Sequence, residues 1–514
     1  MKSFFNSAVI VAAALIACAS CTRDAGGNSV MVKTDAQRVR YNPMIFGHFI
    51  EHFHRQVYDG IYQPGSPLSD EDGFRTDVIE AMKEIKVPIV RWPGGCFVSS
   101  YHWTGGVGPE RTPVYDKSWA VEDPNTFGTD EYVKWCRKVG CEPYICTNAG
   151  TGTAEEMSDW VEYCNLTVGK WGRLRARYGH PEPYDVKYWS IGNENYGGWE
   201  LGAKTVDEWG HLVCESAKLM RAVTKDAVLF AAANDDPLWS IPLLQKAGGM
   251  LDYISIHGYW DFMVNVNVPS SFTQCMMKTD DPEAQILRTI KLLEDAGFGD
   301  GRIKIAFDEW NLKNWHHPGH GNLRKGFDIE ARDGNDDNSL YTMSDALFSA
   351  CFLNSCLRHS DVVDIACFSP IVNTRGALYV HDKGIVKRTT YHVFKMYTSL
   401  LEEFMVPLEV HAEKLESEGR STGVIDAVLT VSEDAGRHAY ALVNKDPLKA
   451  REVSLDFCGK EVGGQVAATV LSGSGVDDYN DVGREDSVVP YETTLEVALG
   501  KVSVPPHSLC IVRF

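Results

Sequence analysis

Eight short apolar segments alternate with longer amphipathic segments between residues 44 and 400, and this alternation constrains the fold most. Strands that alternate with helices are typical of a parallel sheet, because two parallel neighbours need a long crossover connection. Each apolar segment has the length of a buried strand and ends in polar or glycine-containing sequence. The eight predicted strands are Met44–Glu51, Ile89–Gly94, Glu142–Gly150, Val186–Glu194, Ala227–Asp235, Leu251–Tyr259, Ile303–Trp310 and Val363–Val372.

The connecting segments have helical patterns. Thr205–Asp226 and Pro282–Phe298 each place apolar residues on one face, whereas Ser339–Ser360 is apolar over much of its surface, as expected for a helix covered by another domain. Eight strand–helix repeats over roughly 350 residues predict an α/β fold, a (β/α)8 TIM barrel with enlarged loops. An open doubly wound sheet is the alternative, but no glycine-rich phosphate-binding loop follows any predicted strand.

From about Glu402 the pattern changes to short alternating runs separated by Gly, Asp and Pro, which predicts an antiparallel β-sandwich. A chain of 514 residues is also long enough for two domains. We expect a signal or lipoprotein segment at 1–21, a tether and N-terminal strand that joins the sandwich at 22–42, the catalytic barrel at 43–401 and the sandwich at 402–514. The predicted sandwich strands are Asp426–Ser432, His438–Asn444, Glu452–Phe457, Gln465–Leu471, Thr494–Ala498 and Ser508–Phe514.

The N-terminus has the features of a targeting segment. Lys2 precedes the apolar run Ala8–Ala17, which is too short to span a bilayer as a permanent helix. The sequence up to Cys18 resembles a bacterial lipoprotein processing site, with Cys21 as a second candidate for lipidation. Ordinary secretion with cleavage after Ala19 is the alternative. Either reading predicts an exported protein, membrane-anchored as a lipoprotein or periplasmic.

Two of the 14 cysteines lie in this leader, and no pair among the other twelve has the spacing of metal ligands. We therefore predict mostly free, buried thiols and neither a metal nor a cofactor. The net charge of −20 argues against nucleic acid or an anionic membrane as a partner. It is compatible with a neutral polymer such as a polysaccharide.

Two carboxylates stand at the ends of two of the predicted strands. Glu194 ends Trp189–Glu194 after the fourth strand, and Glu309 lies in Phe307–Asn311 at the end of the seventh. Both should face one mouth, because the working residues of such barrels lie at the C-terminal ends of the strands. A glycosidase needs this pair: one acid protonates the departing oxygen and one carboxylate serves the anomeric carbon.

The remaining strand ends supply further polar groups, a concentration that a structural protein has no reason to make. Arg91 and Tyr259 should keep Glu309 ionised, as suits a nucleophile. Glu194 should then be the acid, which requires a less polar setting or the influence of the other carboxylate. Asn193 can donate to a sugar 2-hydroxyl, and we expect His257 to orient its neighbours by hydrogen bonding.

Aromatic and histidine side chains occupy the loops that follow the strands. A flat ring suits a sugar face, but plain packing explains each tryptophan equally well. A histidine cluster near residue 317 could hold a metal, although an exposed loop is favoured because no matching carboxylates are evident. The tryptophans are Trp103, Trp119, Trp199 and Trp315, and the histidines are His316, His317 and His320.

Together these motifs resemble glycoside hydrolase family 51, the α-L-arabinofuranosidases, from about Asn42 to the C-terminus. The resemblance is specific because many motifs match in the right order. They are Gly47–Glu51, Arg91–Cys96, Tyr101–Trp103, Gly192–Glu194, Asp308–Asn311, Asn338–Met343 and Val372–Gly376.

The resemblance implies a retaining enzyme that removes terminal arabinofuranosyl residues from plant polysaccharides or oligosaccharides. Glu194 matches the family's acid/base and Glu309 its nucleophile. Many members are hexamers, so a homo-oligomer is also implied. The other residues expected to bind the sugar or wall its pocket are Glu51, Arg91, Cys96, Trp119, Asn193, His257 and Tyr259.

One feature departs from the family pattern. Some members contact arabinose through an amide side chain at the end of strand eight, where this chain has Ser369 and Pro370. Asn373 or Arg375 is the expected substitute. A β-xylosidase or endo-β-glucanase on the same scaffold is the main alternative. A lipoprotein that only binds polysaccharide is disfavoured, since both carboxylates are present.

Overall fold

The computed structural model describes residues 27–33, 37–262, 268–314, 336–460 and 462–514. Its centre is a closed barrel of eight parallel strands, and a domain of mainly antiparallel sheets follows it, which confirms the predicted fold class. The barrel strands are Gly47–Phe49, Ile89–Trp92, Glu142–Thr147, Tyr188–Ile191, Val228–Ala232, Tyr253–Phe262, Lys304–Asn314 and Val363–Phe368.

The sixth and seventh strands are the longest and run on beyond the barrel. Their register shifts between Ser255 and His257, after which His257 pairs with Glu309. Such an irregularity redirects the following side chains. The register therefore places a histidine directly beside a predicted catalytic carboxylate.

Helices surround the barrel, and most begin at a residue that caps them. Thr205, for example, starts Val206–Val223 in a reciprocal capping arrangement with Glu208. The helices are Thr76–Glu84, Thr129–Val139, Ala154–Asn165, Gly169–Arg177, Val206–Val223, Pro237–Ala247, Phe272–Met276, Asp281–Asp295, Met343–Arg358 and Thr389–Leu400, with short 3-10 turns at Pro43–Phe46, Cys96–Ser100, Trp103–Gly106, Gly248–Met250 and Asn338–Leu340.

The helix Met343–Arg358 is buried along nearly its whole length. Its outer side meets the second domain, where Asn354 Nδ2 and Arg358 Nη1 both donate to the carboxylate of Asp426. This explains the apolar surface noted in the sequence.

The second domain contains two sheets, and the N-terminal strand Asn28–Val32 lies in one of them. This strand pairs antiparallel with Leu408–His411 and parallel with Arg451–Leu455. The four-stranded sheet has the order Leu408–His411, Asn28–Val32, Arg451–Leu455, Lys501–Val504; the seven-stranded sheet has the order Val39–Arg40, Phe404–Val406, Ile425–Val431, His438–Asn444, Ser508–Arg513, Gly464–Leu471, Tyr491–Val497.

Several strands lack a clear sequence signal because they are short and partly exposed. The hairpin Lys414–Ser417 with Arg420–Gly423 consists mostly of polar residues, and Lys501–Val504 has only four residues. Two further hairpins pair Val114–Asp116 with Val121–Asp123 and Leu378–His381 with Gly384–Lys387.

All twelve cysteines in the described part of the chain are free, and nine of them are buried, which confirms the predicted thiols. No helix among the described residues is long and apolar enough to cross a membrane. The predicted leader, with Cys18 and Cys21, lies outside the described residues.

Candidate active site

The C-terminal ends of the barrel strands bring the predicted catalytic and sugar-binding side chains into one connected network. Hydrogen bonds link Glu51 to Trp119, Arg91 to both Asn193 and Glu309, Tyr259 to Glu309, and His257 to Glu194, while Cys96 lies beside Glu194. The geometry thus assembles the whole set that the sequence suggested.

Glu309 lies inside the long seventh strand and is 7% exposed. Its Oε2 accepts from Nη1 of Arg91 at 2.8 Å, and its Oε1 accepts from the Tyr259 hydroxyl at 2.7 Å. Arg91 is fully buried and also donates to Oδ1 of Asn193 at 2.7 Å. Two donors therefore fix both oxygens of this carboxylate, as a positioned nucleophile requires.

Glu194 follows the fourth strand, two residues after Gly192. Its φ is 45°, in the left-handed region. A non-glycine residue pays about 1 kcal/mol or more for this conformation. Oε1 of Glu194 accepts from Nδ1 of His257 at 2.8 Å, and Oε2 accepts from the indole of Trp199 at 2.8 Å. The strained backbone thus carries a carboxylate whose oxygens both have partners.

His257 lies among three carboxylates. Nδ1 is 2.8 Å from Glu194 and 3.7 Å from Glu309, and Nε2 is 3.4 Å from Asp308. Burial lowers the pKa of His257, but the charge of Glu309 and the hydrogen bonds to Asp308 and Glu194 outweigh it and raise the pKa to about 10. His257 is therefore an imidazolium at neutral pH, which agrees with its expected orienting role.

The positive charge of His257 contradicts one expectation drawn from the sequence. We expected surroundings that keep Glu194 protonated, yet its pKa is lowered. Burial raises the pKa of Glu194. The hydrogen bond and the charge of His257 lower this pKa by more than burial raises it, and Trp199 and Arg91 lower it as well. In the free protein, Glu194 and His257 thus form an ion pair.

Glu51 forms the opposite wall and is 4% exposed. Its Oε1 accepts from the backbone N–H of Phe97 at 2.9 Å and from the indole of Trp119 at 3.1 Å. Burial first, and then the charge of Glu309, raise the pKa of Glu51 to about 8. A Cβ on Gly95 would lie 2.6 Å from Oε2 of Glu51, so only glycine fits there. Near neutral pH Glu51 can therefore donate to a sugar hydroxyl.

At the end of strand eight, the structure distinguishes the two substitutes for the missing amide. Arg375 Nη2 donates to the Tyr259 hydroxyl at 2.8 Å and to Ser369 Oγ at 3.3 Å, so Arg375 belongs to the site. The amide of Asn373 is instead used at both ends by backbone groups: its Nδ2 donates to the carbonyl of Arg55, and its Oδ1 accepts from the N–H of Val380.

The tryptophans of these loops also differ in whether they pack in the interior or lie at the site. Trp103 is buried against Trp160 and donates to the carbonyl of Glu156, so it serves packing. Trp199 is 67% exposed beside Glu194, where its ring can meet a ligand. Trp315 and the neighbouring histidines His316, His317 and His320 lie outside the described residues.

Sequence reasoning missed two acidic residues of the site. Asp308 accepts from the hydroxyls of Tyr144 and Ser255, each at 2.6 Å, and helps to hold the charge of His257. Glu200 is 4% exposed and accepts from Nδ2 of Asn193 at 3.3 Å. Asp308 was visible in the motif beside Glu309, whereas Glu200 carries no motif and is found only through the folding of its loop.

Two sets of potential ligand atoms lie within 4.8 Å of one another: those of Cys96, Glu194 and Glu200, and those of Glu194, His257 and Glu309. The second set has an imidazolium at its centre, which is itself a cation. We assign no metal to either set.

Family models match two parts of the chain: the α-L-arabinofuranosidase 1 domain at residues 81–235 and the α-L-arabinofuranosidase C-terminal domain at residues 308–508. The α-L-arabinofuranosidase C of Emericella nidulans is 33% identical over 94% of this chain and 97% of its own length. An intracellular exo-α-(1→5)-L-arabinofuranosidase of Acetivibrio thermocellus is 34% identical over 69% of this chain and 71% of its own.

Solved structures agree with the sequence relatives. The α-L-arabinofuranosidase of Thermotoga maritima, solved as an arabinose complex, is 32% identical and superposes with a TM-score of 0.84 over 95% of this chain and 100% of its own. A family 51 enzyme from Thermotoga petrophila is 33% identical, with a TM-score of 0.83 over 95% and 100% of the two chains. The chain belongs to the α-L-arabinofuranosidases of glycoside hydrolase family 51.

Proposed function

We propose that this chain is an exo-acting, retaining α-L-arabinofuranosidase in which Glu309 is the nucleophile and Glu194 the acid/base. The observation that carries the proposal is the spacing of the two carboxylates, whose nearest oxygens lie within 4.8 Å of each other and of a nitrogen of His257. Retaining glycosidases keep their carboxyl groups about 5 Å apart, whereas inverting enzymes leave a wider gap for water.

In the first step, an oxygen of Glu309 forms a bond to the anomeric carbon while the glycosidic C–O bond breaks. Glu194 gives its proton to the departing oxygen. Because Glu194 is paired with an imidazolium in the free protein, we propose that this proton reaches Glu194 from His257 along their 2.8 Å hydrogen bond. After this step Glu194 is a carboxylate and His257 a neutral imidazole; the proton that Glu194 takes from water in the second step returns to His257 and restores the ion pair.

In the second step, Glu194 as a carboxylate removes a proton from water, and the water oxygen attacks the anomeric carbon. The bond to Glu309 breaks, and arabinose leaves with its original anomeric configuration. Arg91 and Tyr259 hold the carboxylate of Glu309 in place for its departure as for its attack.

The sugar is held by groups that surround both carboxylates. Asn193 and Glu51 can bond ring hydroxyls, Trp119 forms a wall, and Arg375 closes the side near strand eight. The proposed substrates are terminal arabinofuranosyl residues of plant polysaccharides or oligosaccharides, in keeping with the exo-α-(1→5) activity named for the Acetivibrio thermocellus relative.

The test is hydrolysis of an aryl α-L-arabinofuranoside beside an aryl β-D-xyloside and a soluble β-glucan, with protein that lacks residues 1–21. Preference for the arabinofuranoside, with an α-anomer as the first product by NMR, is expected. Activity on the xyloside or the glucan alone would move the specificity to the alternative on the same scaffold. A β-anomer as the first product would exclude double displacement.

We also propose export with a lipid anchor at Cys18 or Cys21, and assembly into a homo-oligomer. The leader pattern supports the first, and the resemblance to family members that form hexamers supports the second. Labelling of wild type and of Cys18→Ser and Cys21→Ser variants with a fatty-acid analogue tests the anchor. Light scattering of the truncated protein tests the oligomer.

A further inference from the structure

Glu200 lies where the loop after strand four folds back on itself. The N–H of Gly197 donates to the carbonyl of Glu194 at 2.7 Å, and the N–H of Glu200 donates to the carbonyl of Gly197 at 3.0 Å. These two successive turns return the chain towards the barrel. A Cβ on Gly202 would lie 2.4 Å from the carbonyl of Gly150, so the loop also packs tightly against the loop after strand three. The position of Glu200 is therefore fixed by the backbone.

The side chain of Glu200 lies against Asn193 and the residues that follow strand two. Its Oε2 accepts from Asn193 Nδ2 at 3.3 Å. The nearby hydroxyl of Ser99 and thiol of Cys96 favour its ionised form. A carboxylate oxygen of Glu200, one of Glu194 and the sulfur of Cys96 lie within 4.8 Å of one another. Glu200 thus lies behind two predicted sugar-binding residues and beside the proposed acid/base.

No lysine, arginine or histidine among the described residues forms an ion pair with Glu200. Burial, opposed by the nearby polar groups of Ser99 and Cys96 and assisted by the charges of Glu194 and Glu309, raises the pKa of Glu200 to about 7. Two neighbouring carboxylates raise each other's pKa, because each charge disfavours the other. Glu200 therefore opposes His257, which lowers the pKa of Glu194.

The charged and titratable groups around Glu194 and Glu200 come from five strand ends. Those on strands two, four, six and seven act on Glu194 or Glu200 directly, and Glu51 on strand one acts through Cys96. They are Glu51, Arg91, Cys96, Glu194, His257, Asp308 and Glu309.

We infer that Glu200 is a positioning residue that holds the amide of Asn193 and places a negative charge beside Glu194, so that the proton shared by Glu194 and His257 is kept to higher pH. This inference rests on the proposed function, in which Glu194 is the acid. It gives the site two opposed neighbours of the acid: His257 favours the carboxylate, and Glu200 favours the carboxylic acid.

The test is the pH dependence of kcat/KM for Glu200→Gln, measured on an arabinofuranosyl oligosaccharide whose leaving group needs protonation. The amide keeps the size of the side chain and an oxygen that can accept from Asn193, but it has no charge. The alkaline limb reports the acid of the free enzyme. We expect this limb to move to lower pH by about one unit or more, while KM at the optimum stays within about twofold.

Glu142→Gln is the matched control, because Glu142 begins the third strand at the opposite end of the barrel. It should leave the limb in place. A limb that does not move in Glu200→Gln, or that moves equally in Glu142→Gln, would overturn the inference. Glu200→Ala should raise KM about tenfold, since Asn193 loses the carboxylate that holds its amide. If Glu200→Gln fails to restore that KM, the positioning part of the inference is wrong.

These outcomes are separate from the fate of the proposed function. If the wild-type protein cleaves only the xyloside, the proposed sugar specificity fails, and the limb shift measured on a xylo-oligosaccharide, whose leaving group needs protonation, still decides the role of Glu200. If the wild type cleaves the arabinofuranoside and the limb of Glu200→Gln is unchanged, only the Glu200 inference fails.

Discussion

The surroundings of Glu309 and Glu194 differ more than their matching positions at the barrel mouth suggest. Glu309 belongs to a continuous strand, and a fully buried arginine and a tyrosine fix its two oxygens. Glu194 lies beyond its strand on left-handed backbone, and its carboxylate is paired with a histidine that can carry a proton. The difference teaches that the group which forms a covalent bond is held still, whereas the group that exchanges protons is surrounded by titratable neighbours.

The largest loss of activity is expected at Glu309. Glu309→Ala should lower kcat by at least about 10⁴-fold on every substrate, because no other group can form the covalent intermediate. Steady-state hydrolysis of the aryl arabinofuranoside measures this. Added azide should not restore a product of retained configuration, and a variant with more than about 1% of wild-type kcat would contradict the assignment.

Glu194→Ala should have a smaller effect that depends on the substrate. Loss of general acid catalysis costs about 10²–10⁴-fold on an oligosaccharide, but much less on an aryl glycoside whose leaving group needs little protonation. The two substrates should be compared in parallel with the wild type. Equal losses on both would show that Glu194 is not the acid/base.

His257→Gln should change the pH dependence of kcat/KM through Glu194 only. In the wild type, the alkaline limb of kcat/KM follows loss of the proton that His257 stores and passes to Glu194. Without the imidazolium the pKa of Glu194 should rise, but Glu194 must hold the proton alone, so the limb should move to lower pH by about one unit or more. An unchanged limb, or one that moves to higher pH, would contradict the storage of the proton on His257.

The same variant has a consequence for stability. The pKa of His257 rises from 6.5 to about 10 on folding, so its stabilising contribution is fully present below about pH 6.5 and is lost as the pH rises through about 10. The difference in Tm between wild type and His257→Gln should therefore narrow between those two pH values. Calorimetry at matched ionic strength measures it, and a difference that widens would contradict the assignment.

Activity should be least sensitive at the boundary between the two domains. Arg358→Met leaves Asp426 without its cation and Glu283 with His359 alone, and should cost about 3 kcal/mol of unfolding free energy, while kcat/KM of the folded enzyme stays unchanged. Denaturant unfolding followed by activity measures both. Arg302→Met is the control. Arg302 and Asp300 form an exposed pair, with 3.9 Å between Nε and Oδ2, and this pair should contribute less than about 1 kcal/mol to the unfolding free energy.

Sequence patterns predicted the barrel well because its strands are buried apolar runs, a signal that does not depend on distant residues. The first strand was the exception. Asn42 and Pro43 start a 3-10 turn over Pro43–Phe46, which leaves only Gly47–Phe49 in the barrel. A proline preceded by a capping residue could have predicted that turn.

The chemistry of the site was predictable only in part. Glu194 and Glu309 stand in recognisable motifs, but the direction of the pKa shift of Glu194 depends on the register that places His257 beside it. Glu200 reaches the site through two backbone turns, and Arg375 reaches Tyr259 across strand ends far apart in the chain. Such long-range placements leave no periodic trace in the sequence.

The left-handed backbone at Glu194 has a consequence for attempts to make this protein more robust. Glycine adopts a φ of 45° without the cost that a side chain incurs, so Glu194→Gly would relieve that cost. The same substitution would leave His257 and Trp199 without the carboxylate that both bond, and would remove the proposed acid. Relief of backbone strain at this position therefore gives no net gain in heat resistance, and a library intended to raise thermal tolerance should hold residue 194 constant.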